Sequence, residues 1–401
     1  MTNSWERRKL GDICSIKYGF TSSANTERVG PKFLRITDIQ DDHVCWDTVP
    51  YCEIASEKLP LYRLKTGDIV FSRTGATTGK SFLVLNPPEA IFASYLIRLR
   101  ISDNAALPEF VNYYFQTSAY WQVIADGSVG SAQGGFNASK LGDLRVPLPP
   151  VTEQRRIVAI LDEALEGIAT AKANAESASK LTYAAFEAHR EQVFFPREGW
   201  EQARLSELCE IKHGFAFQSE FFTSEGDFVL LTPGNYFERG GYRDRREKQK
   251  FYKGPIPDGF VFSKNALLVA MTEQAAGLLG SSLLVPDSGR FLHNQRLGLV
   301  VPKPNIPWEN DFFFHFFNTR AVRSAIHRSA SGVKVRHTSP TKIGEVVATF
   351  PTSREEQLSL ASKLFEHYAE TEKLEDLYER KFGALEALKQ SLLYQAFSGN
   401  L

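Results

Sequence analysis

Pro149-Pro150-Val151-Thr152-Glu153-Gln154-Arg155-Arg156-Ile157 opens the longest helical pattern in this 401-residue chain, and its reading decides the fold. The two prolines bias the preceding backbone away from helix, Thr152 can accept a hydrogen bond from a free helix N–H, and Glu153 puts negative charge at the positive helix end. From Ile157 the positions Leu161, Ala164, Ile168, Ala171, Ala175, Ala178, Thr182 and Ala185 follow at alternating spacings of four and three, with Lys, Glu and Asn between them. That pattern predicts a coiled-coil seam running to Phe195. At ~1.5 Å per residue, roughly 43 residues make a rod of about 60 Å, and a helix of that length needs a partner.

The partner is a second copy of the same run near the C-terminus. A shift of 203 carries Glu153-Gln154 onto Glu356-Gln357, and the seam onto Leu360, Leu364, His367, Thr371, Leu374, Tyr378, Lys381, Leu385 and Leu388. Alanine in the first run faces larger side chains in the second, which predicts close packing of small against large. The expected helix-helix seam is therefore Ile157, Leu161, Ile168, Ala171 and Ala175 against Leu364, Leu374, Tyr378, Leu385 and Leu388.

The duplication extends beyond the helices. Trp5-Glu6, Leu10, Cys14, Ile16-Lys17 and Gly19-Phe20 recur 195 residues later as Trp200-Glu201, Leu205, Cys209, Ile211-Lys212 and Gly214-Phe215. A repeat of this length means two paralogous domains rather than a solenoid. Strand signals at Gly67 to Ser72 and Ser81 to Leu85, and a helical aromatic patch from Glu109 to Ile124, are paralleled by Ala266 to Met271, Ser281 to Val285 and a helix from Asn310 to Arg328. The expected class is α+β: two mixed domains in tandem repeat, at residues 1–147 and 196–348, each followed by a long helix, at 148–195 and 349–401. Matched ends around dissimilar middles suggest one scaffold with two specificities.

Formal net charge is zero, but its distribution is uneven. Residues 1–147 carry 16 basic and 15 acidic side chains and residues 196–348 carry 20 and 16, while both helical runs lean negative. Because phosphate neutralisation supplies most non-specific nucleic-acid binding, affinity of this chain alone should be modest. The four cysteines have neither zinc-ligand spacings nor the density of a disulfide framework. With no signal-peptide pattern at Met1-Thr2-Asn3-Ser4-Trp5-Glu6 and no apolar run of ~18 residues, the expected location is the cytoplasm.

Two motifs tempt and fail. Asn86-Pro87-Pro88-Glu89 resembles the Asn-Pro-Pro-aromatic motif of DNA adenine methyltransferases, but Glu89 cannot stack on a flipped base and no glycine-rich methyl-donor loop precedes it. Gly75-Ala76-Thr77-Thr78-Gly79-Lys80-Ser81 has three residues between its glycines where a phosphate-binding P-loop needs four, and it continues as strand. A hairpin bearing Arg73, Thr77 and Lys80 can instead meet DNA, hydroxyl and ammonium on phosphate and arginine on a base edge. The run Arg239-Gly240-Gly241-Tyr242-Arg243-Asp244-Arg245-Arg246-Glu247-Lys248 offers a second basic loop, with Arg243, Arg245, Arg246 and Lys248 as candidate contacts. Matching polar loops hold Gln133 and Asn137 in the first half and Lys334 and Arg336 in the second. No Ser/His/Asp arrangement, His-Glu-x-x-His or paired cysteine ligand set is present in the sequence, so no catalytic residue and no metal site is expected.

The order globular part, long helix, globular part, long helix, with Pro149-Pro150-Val151-Thr152-Glu153-Gln154, the ending from Leu385 to Phe397, and Gly67-Asp68-Ile69-Val70 leading to Thr74-Gly75 and Gly79-Lys80, resembles the specificity subunit of type I restriction-modification enzymes. The second helix departs at Phe350-Pro351-Thr352-Ser353-Arg354-Glu355-Glu356-Gln357, which lacks the double proline. The resemblance implies two target-recognition domains in pseudo-twofold arrangement, each reading one half of a split DNA sequence, and two helices packed antiparallel as a spacer. It implies as partners double-stranded DNA, two modification subunits holding S-adenosylmethionine, and restriction subunits using ATP and Mg. The chain itself would then be a non-catalytic reader with no cofactor of its own. The rival class, a single-chain methyltransferase or nuclease with its own recognition domain, should show methyl-donor or metal-binding motifs.

Overall fold

The structure, a computed structural model, describes residues 5–40, 43–128, 135–273, 277–332 and 335–401. Both expected long helices form, Val151–Val193 and Arg354–Ser398. The chain divides into two compact units, Met1–Ala175 with Glu379–Leu401, and Glu176–Tyr378. The division therefore falls inside both helices, whereas the sequence reading separates globular from helical residues at 147/148 and 195/196. Packing explains the difference. In the first unit Ile157 and Leu161 of the first helix and Leu393 and Ala396 of the second are part of one core with Phe110, Tyr114 and Val146. In the second unit Ala361 is part of a core with Phe312, Phe313 and Phe350.

Each unit is closed at its neck by a pair of antiparallel strands that ties the start of the globular part to the strand entering the helix: Glu6–Lys9 on Arg145–Leu148, and Trp200–Arg204 on Val347–Pro351. Above the neck lies a four-stranded antiparallel sheet of identical order in both units. In the first it runs Cys14–Tyr18, Leu96–Ile101, Asp68–Ser72, Ser81–Leu83; in the second, Cys209–His213, Leu297–Pro302, Leu267–Ala270, Ser282–Leu284. The inner strands Asp68–Ser72 and Leu267–Ala270 are buried throughout, as continuous apolar runs demand. Asp68 is tolerated there because Arg100 grips both carboxylate oxygens at 2.6 and 2.7 Å.

The matched Gly-Phe pairs have a steric cause. A Cβ on Gly19 would lie 2.1 Å from the Ala93 carbonyl oxygen, and one on Gly214 would lie 2.2 Å from that of Asn294. No other residue admits that approach. The aromatic helical patches each split in two, into Pro108–Tyr114 and Ser118–Ser128, and into Asn310–Phe317 and Arg320–Ser329. The breaks fall at Thr117 and Thr319, whose hydroxyls accept the amides of Tyr120 (3.2 Å) and Val322 (3.4 Å), so each threonine starts a new helix.

The helices run antiparallel within each unit: Phe186 and His189 meet Tyr368 and His367 in the second unit, and Arg156 and Lys172 meet Leu401 and Glu386 in the first. In the first helix the structure buries Ile157, Leu161, Ile168 and Ala175 and half-buries Ala171. Near its end Phe186 replaces Ala185 at the seam. In the second helix Leu364 is buried and Tyr378 and Leu385 are half-buried, but Leu374 and Leu388 are 40% and 47% exposed and are not seam residues. Their places are taken by Glu375 and Lys389, just as Tyr368 replaces His367 and Phe382 replaces Lys381. The fixed shift of 203 preserves the seven-residue repeat but not its alternate member, because leucines on several faces of the second run leave the phase open.

Candidate nucleic-acid interface

In the first unit the hairpin between Asp68–Ser72 and Ser81–Leu83 carries the candidate contacts. The Arg73 carbonyl accepts the Phe136 amide at 3.0 Å, which docks the loop before helix Ala138–Asp143 against the hairpin. Tyr120 fixes the tip by donating to the Gly79 carbonyl at 2.5 Å, with Gly79 at φ +93°. On this frame the Arg73 guanidinium lies 4.9 Å from the Tyr18 ring centroid, and Lys80 is exposed on a cleft of about 300 Å³ with Trp121, Glu386 and Lys389. Thr77 is turned inward, its hydroxyl 2.9 Å from that of Ser72. Asn137 caps its helix, its side chain accepting the Lys140 amide at 2.9 Å. Neither of these two side chains offers the free contact expected of it, because local backbone and hydroxyl partners outcompete solvent-facing rotamers. Gln133 lies outside the described residues.

The second unit repeats the docking hydrogen bond with other side chains. Thr338 donates to the Met271 carbonyl at 2.9 Å, and Ser339 caps Pro340–Gly344 as Asn137 caps Ala138–Asp143. Arg336 is spent internally, its Nη2 donating to the His327 carbonyl at 2.9 Å and its Nη1 to His327 Nδ1 at 2.7 Å. The other imidazole nitrogen, Nε2, lies 2.9 Å from the Glu273 carboxylate. Lys334 lies outside the described residues.

The basic loop is held by a buried amide pair, Asn235 donating to Gln249 at 2.8 Å. Arg243, Arg246 and Lys248 are exposed, while Arg245 is half-buried over Gly234. Arg246 adopts φ +49°, held there by the Asp244 carboxylate accepting its amide at 2.9 Å. Arg239, at the head of the run, does not face solvent: it pairs with Glu372 and Glu375 of the second long helix and stacks on Tyr183 and Tyr368. Burial disfavours its charge, but the Glu375 hydrogen bond and the charges of Glu372 and Glu375 outweigh it and raise its pKa. Arg323 shows the opposite balance, burial and then the Arg190 charge bringing it down to about 10.

Three structural roles escape the sequence reading. Gln154 and Gln357 are fully buried. Gln154 accepts the Leu107 amide at 2.9 Å and donates to Ala105 and Pro149 carbonyls at 2.7 and 2.8 Å. Gln357 does the same with Glu309, Pro307 and Pro351 at 2.9, 2.9 and 2.8 Å. The Glu-Gln pairs at the helix starts are thus clamps as well as start signals, and their recurrence was the available clue. The third is the Arg239 lock, which no sequence pattern distinguishes from its basic neighbours. Asn86-Pro87-Pro88-Glu89 is a turn, with Asn86 at φ +45° and Glu89 ion-paired to Arg63.

Residues 2–177 and 197–379 each match the type I restriction modification DNA specificity domain. The chain belongs to that family. It is 28% identical over 214 residues to the putative type I restriction enzyme MjaX specificity subunit of Methanocaldococcus jannaschii, covering 51% of this chain and 50% of that one. Over 152 residues it is 28% identical to the type I restriction enzyme EcoKI specificity subunit of Escherichia coli K12, covering 36% and 32%. These matches span half or less of the curated relatives' length. In fold the specificity chain is similar to the HsdS subunit from Thermoanaerobacter tengcongensis, at TM-score 0.53 and 18% identity over 100% of this chain and 98% of that one. It is also similar, at TM-score 0.78, to a chain solved in work on complex assembly and conformational transition of the type I R-M system, again at 18% identity, over 100% and 99%. Among the described residues no cluster of His, Cys, Asp and Glu can hold a metal ion, and no helix is long and apolar enough to cross a membrane.

Proposed function

We propose that this chain is the DNA-reading subunit of a type I restriction-modification assembly, residues 1–147 and 196–348 each reading one half of a bipartite target. The observation that carries the reading is a conserved frame with exchanged side chains: the hydrogen bond from Phe136 to Arg73 in one unit is that from Thr338 to Met271 in the other. A fixed frame with variable presentation is what two different readings of one polymer require. Arg73 and Lys80 in the first unit, and Arg243, Arg246 and Lys248 in the second, are the outward-facing groups able to meet base edges or phosphates.

In this reading the long helices are the spacer and the docking frame, and the apolar side chains left exposed on the second helix, Leu377 and Tyr394 among them, suit a protein partner. Two modification subunits bring S-adenosylmethionine and perform adenine methylation. Restriction subunits bring ATP and Mg for translocation and cleavage. The chain is a non-catalytic cytoplasmic reader that directs chemistry done by others. The test is to exchange residues 196–348 for those of a relative and sequence the methylated motif in cells. One half of the motif should change and the other persist; a change in both halves overturns the two-reader reading.

A further inference from the structure

Between Asp311 and Glu345 the chain carries six basic and no acidic side chains, whereas the corresponding stretch of the first half, between Glu109 and Asp143, carries only Asp126 and Lys140. The structure gathers much of this surplus on one helix, Arg320–Ser329. Its inner face is Val322 and Ile326, both buried; its outer face is Arg320, Arg323, Ser324, His327 and Arg328, at the three- and four-residue spacings that share one side of a helix. Ser324, His327 and Arg328 line a cleft of about 520 Å³ with Gly277, Arg323 and Arg336, and among the described residues no carboxylate lines it.

The cations of this face divide by what their donors already do. Arg323 spends its guanidinium on the carbonyls of Gly277, Leu279 and Glu238, and Arg336 spends its own on His327. These two position the hairpin and the cleft wall. Arg320 and Arg328 are exposed. They stand eight residues apart, ~12 Å along the helix axis, a distance covering a few nucleotides at ~3.4 Å of rise per strand. Of the acids near the face, Glu273 accepts three backbone amides, of Gly277, Leu278 and Leu279, and lies against His327, and Glu187, Glu238 and Glu375 share a second cleft with Arg320, where Glu187 is paired with Arg190 and Glu375 with Arg239. Glu191 accepts the Arg320 backbone amide.

The matching helix of the first unit, Ser118–Ser128, starts at the same capping threonine but presents Trp121, Gln122 and Asp126 outward. Counted from those threonines, Asp126 stands where Arg328 stands. We infer that the Arg320–Ser329 face is a phosphodiester-holding surface found in the second unit only, so that the second unit supplies most of the salt-dependent grip on DNA, without reading sequence. This rests on the DNA-reading function proposed above.

The test uses the full chain and a random-sequence duplex labelled for fluorescence anisotropy, titrated across a salt series. Arg320→Ala with Arg328→Ala should weaken binding on the order of tenfold and flatten the salt dependence by about 0.9 unit of slope per lost phosphate contact. Arg328→Lys should keep the slope, since charge rather than fork geometry is what a phosphate needs here. Lys264→Ala removes an exposed cation at the opposite end of strand Leu267–Ala270 from the hairpin and should leave the slope unchanged. If Lys264→Ala flattened it equally, bulk charge rather than this face would be responsible and the inference would fall. A double variant identical to wild type, with wild type itself binding in a salt-dependent way, overturns the face alone; a wild-type chain showing no salt-dependent binding overturns the DNA reading beneath it.

Discussion

Gln154 and Gln357 show how much one amide can fix. Each is fully buried with all three of its partners on the backbone of the adjoining globular part. Removing the amide of Gln154 strands the Pro149 carbonyl and the part-buried Leu107 N–H, at about 1–3 kcal/mol each, while the carbonyl of exposed Ala105 can turn to water. Gln154→Ala is therefore expected to lower stability by several kcal/mol, read as a fall in the urea midpoint, while Glu153→Ala, which removes only the solvent-facing pair with Arg156, should cost less than about 1 kcal/mol. Equal effects would mean the clamp contributes no more than the surface pair. In the sequence the Glu-Gln pair is legible as a helix start and not as a clamp, because a hydrogen-bond partner 47 residues away leaves no local trace.

The phase of the second long helix is set by packing. The second long helix has leucines at 358, 360, 364, 374, 377, 385, 388, 392 and 393, a distribution that permits more than one buried stripe. Packing selects the stripe containing Leu364, Tyr368 and Glu375 because Tyr368 reaches Phe186 with ring centroids 5.5 Å apart and Glu375 reaches Arg239 at 2.6 Å. Leu364→Ala is expected to cost about 2–5 kcal/mol, a loss of buried volume, and Leu374→Ala within about 0.5–1 kcal/mol of nothing. Thermal melts of the two variants decide between this phase and the one expected from the fixed repeat. In the first helix, Ala175→Glu places a carboxylate at a buried seam position and should weaken both folding and any assembly that depends on the helix pair.

Across the whole molecule, histidine is distributed unequally: only His43 belongs to the first unit, and the other seven lie within Glu176–Tyr378. Burial holds the His293 pKa down to about 4, and burial, then the Arg190 charge, holds that of His315 well below the ordinary value. Both are neutral in the fold, so unfolding takes up protons. Their contribution is present above about pH 6.5 and is lost as pH falls toward 4, amounting to roughly 3 kcal/mol for His293. Hydrogen exchange should show the second unit losing protection before the first in that window, and His315→Phe, which keeps a ring among Phe314 and Phe365, should reduce the acid sensitivity. Simultaneous loss in both units would remove these histidines from the explanation. If the helices set the spacing of the target halves, four residues inserted after Ala175 and four after Tyr378 add ~6 Å and about 40° beyond a full turn to each helix, against about 3.4 Å per base pair. The methylated motif in cells should keep both halves and lengthen its spacer by one or two base pairs; unchanged spacing in an active complex would locate the ruler elsewhere.

Legible in the sequence is whatever repeats or caps locally: two long helices and where they begin, a duplicated frame announced by Trp-Glu and Gly-Phe pairs, a mixed α and β class, and a basic loop after Gly241. These are legible because period, capping and close backbone approach act between near neighbours or recur at a fixed offset. Folding at long range is what turns Arg239 inward to Glu372 and Glu375 while Arg243 faces solvent, sets Thr77 on the Ser72 hydroxyl and Asn137 on its own helix, rotates the second helix to half-bury Tyr368 and Glu375, and divides both helices between two units. Those choices rest on partners dozens to hundreds of residues distant, where a charge or a ring finds its place only after the chain has folded around it.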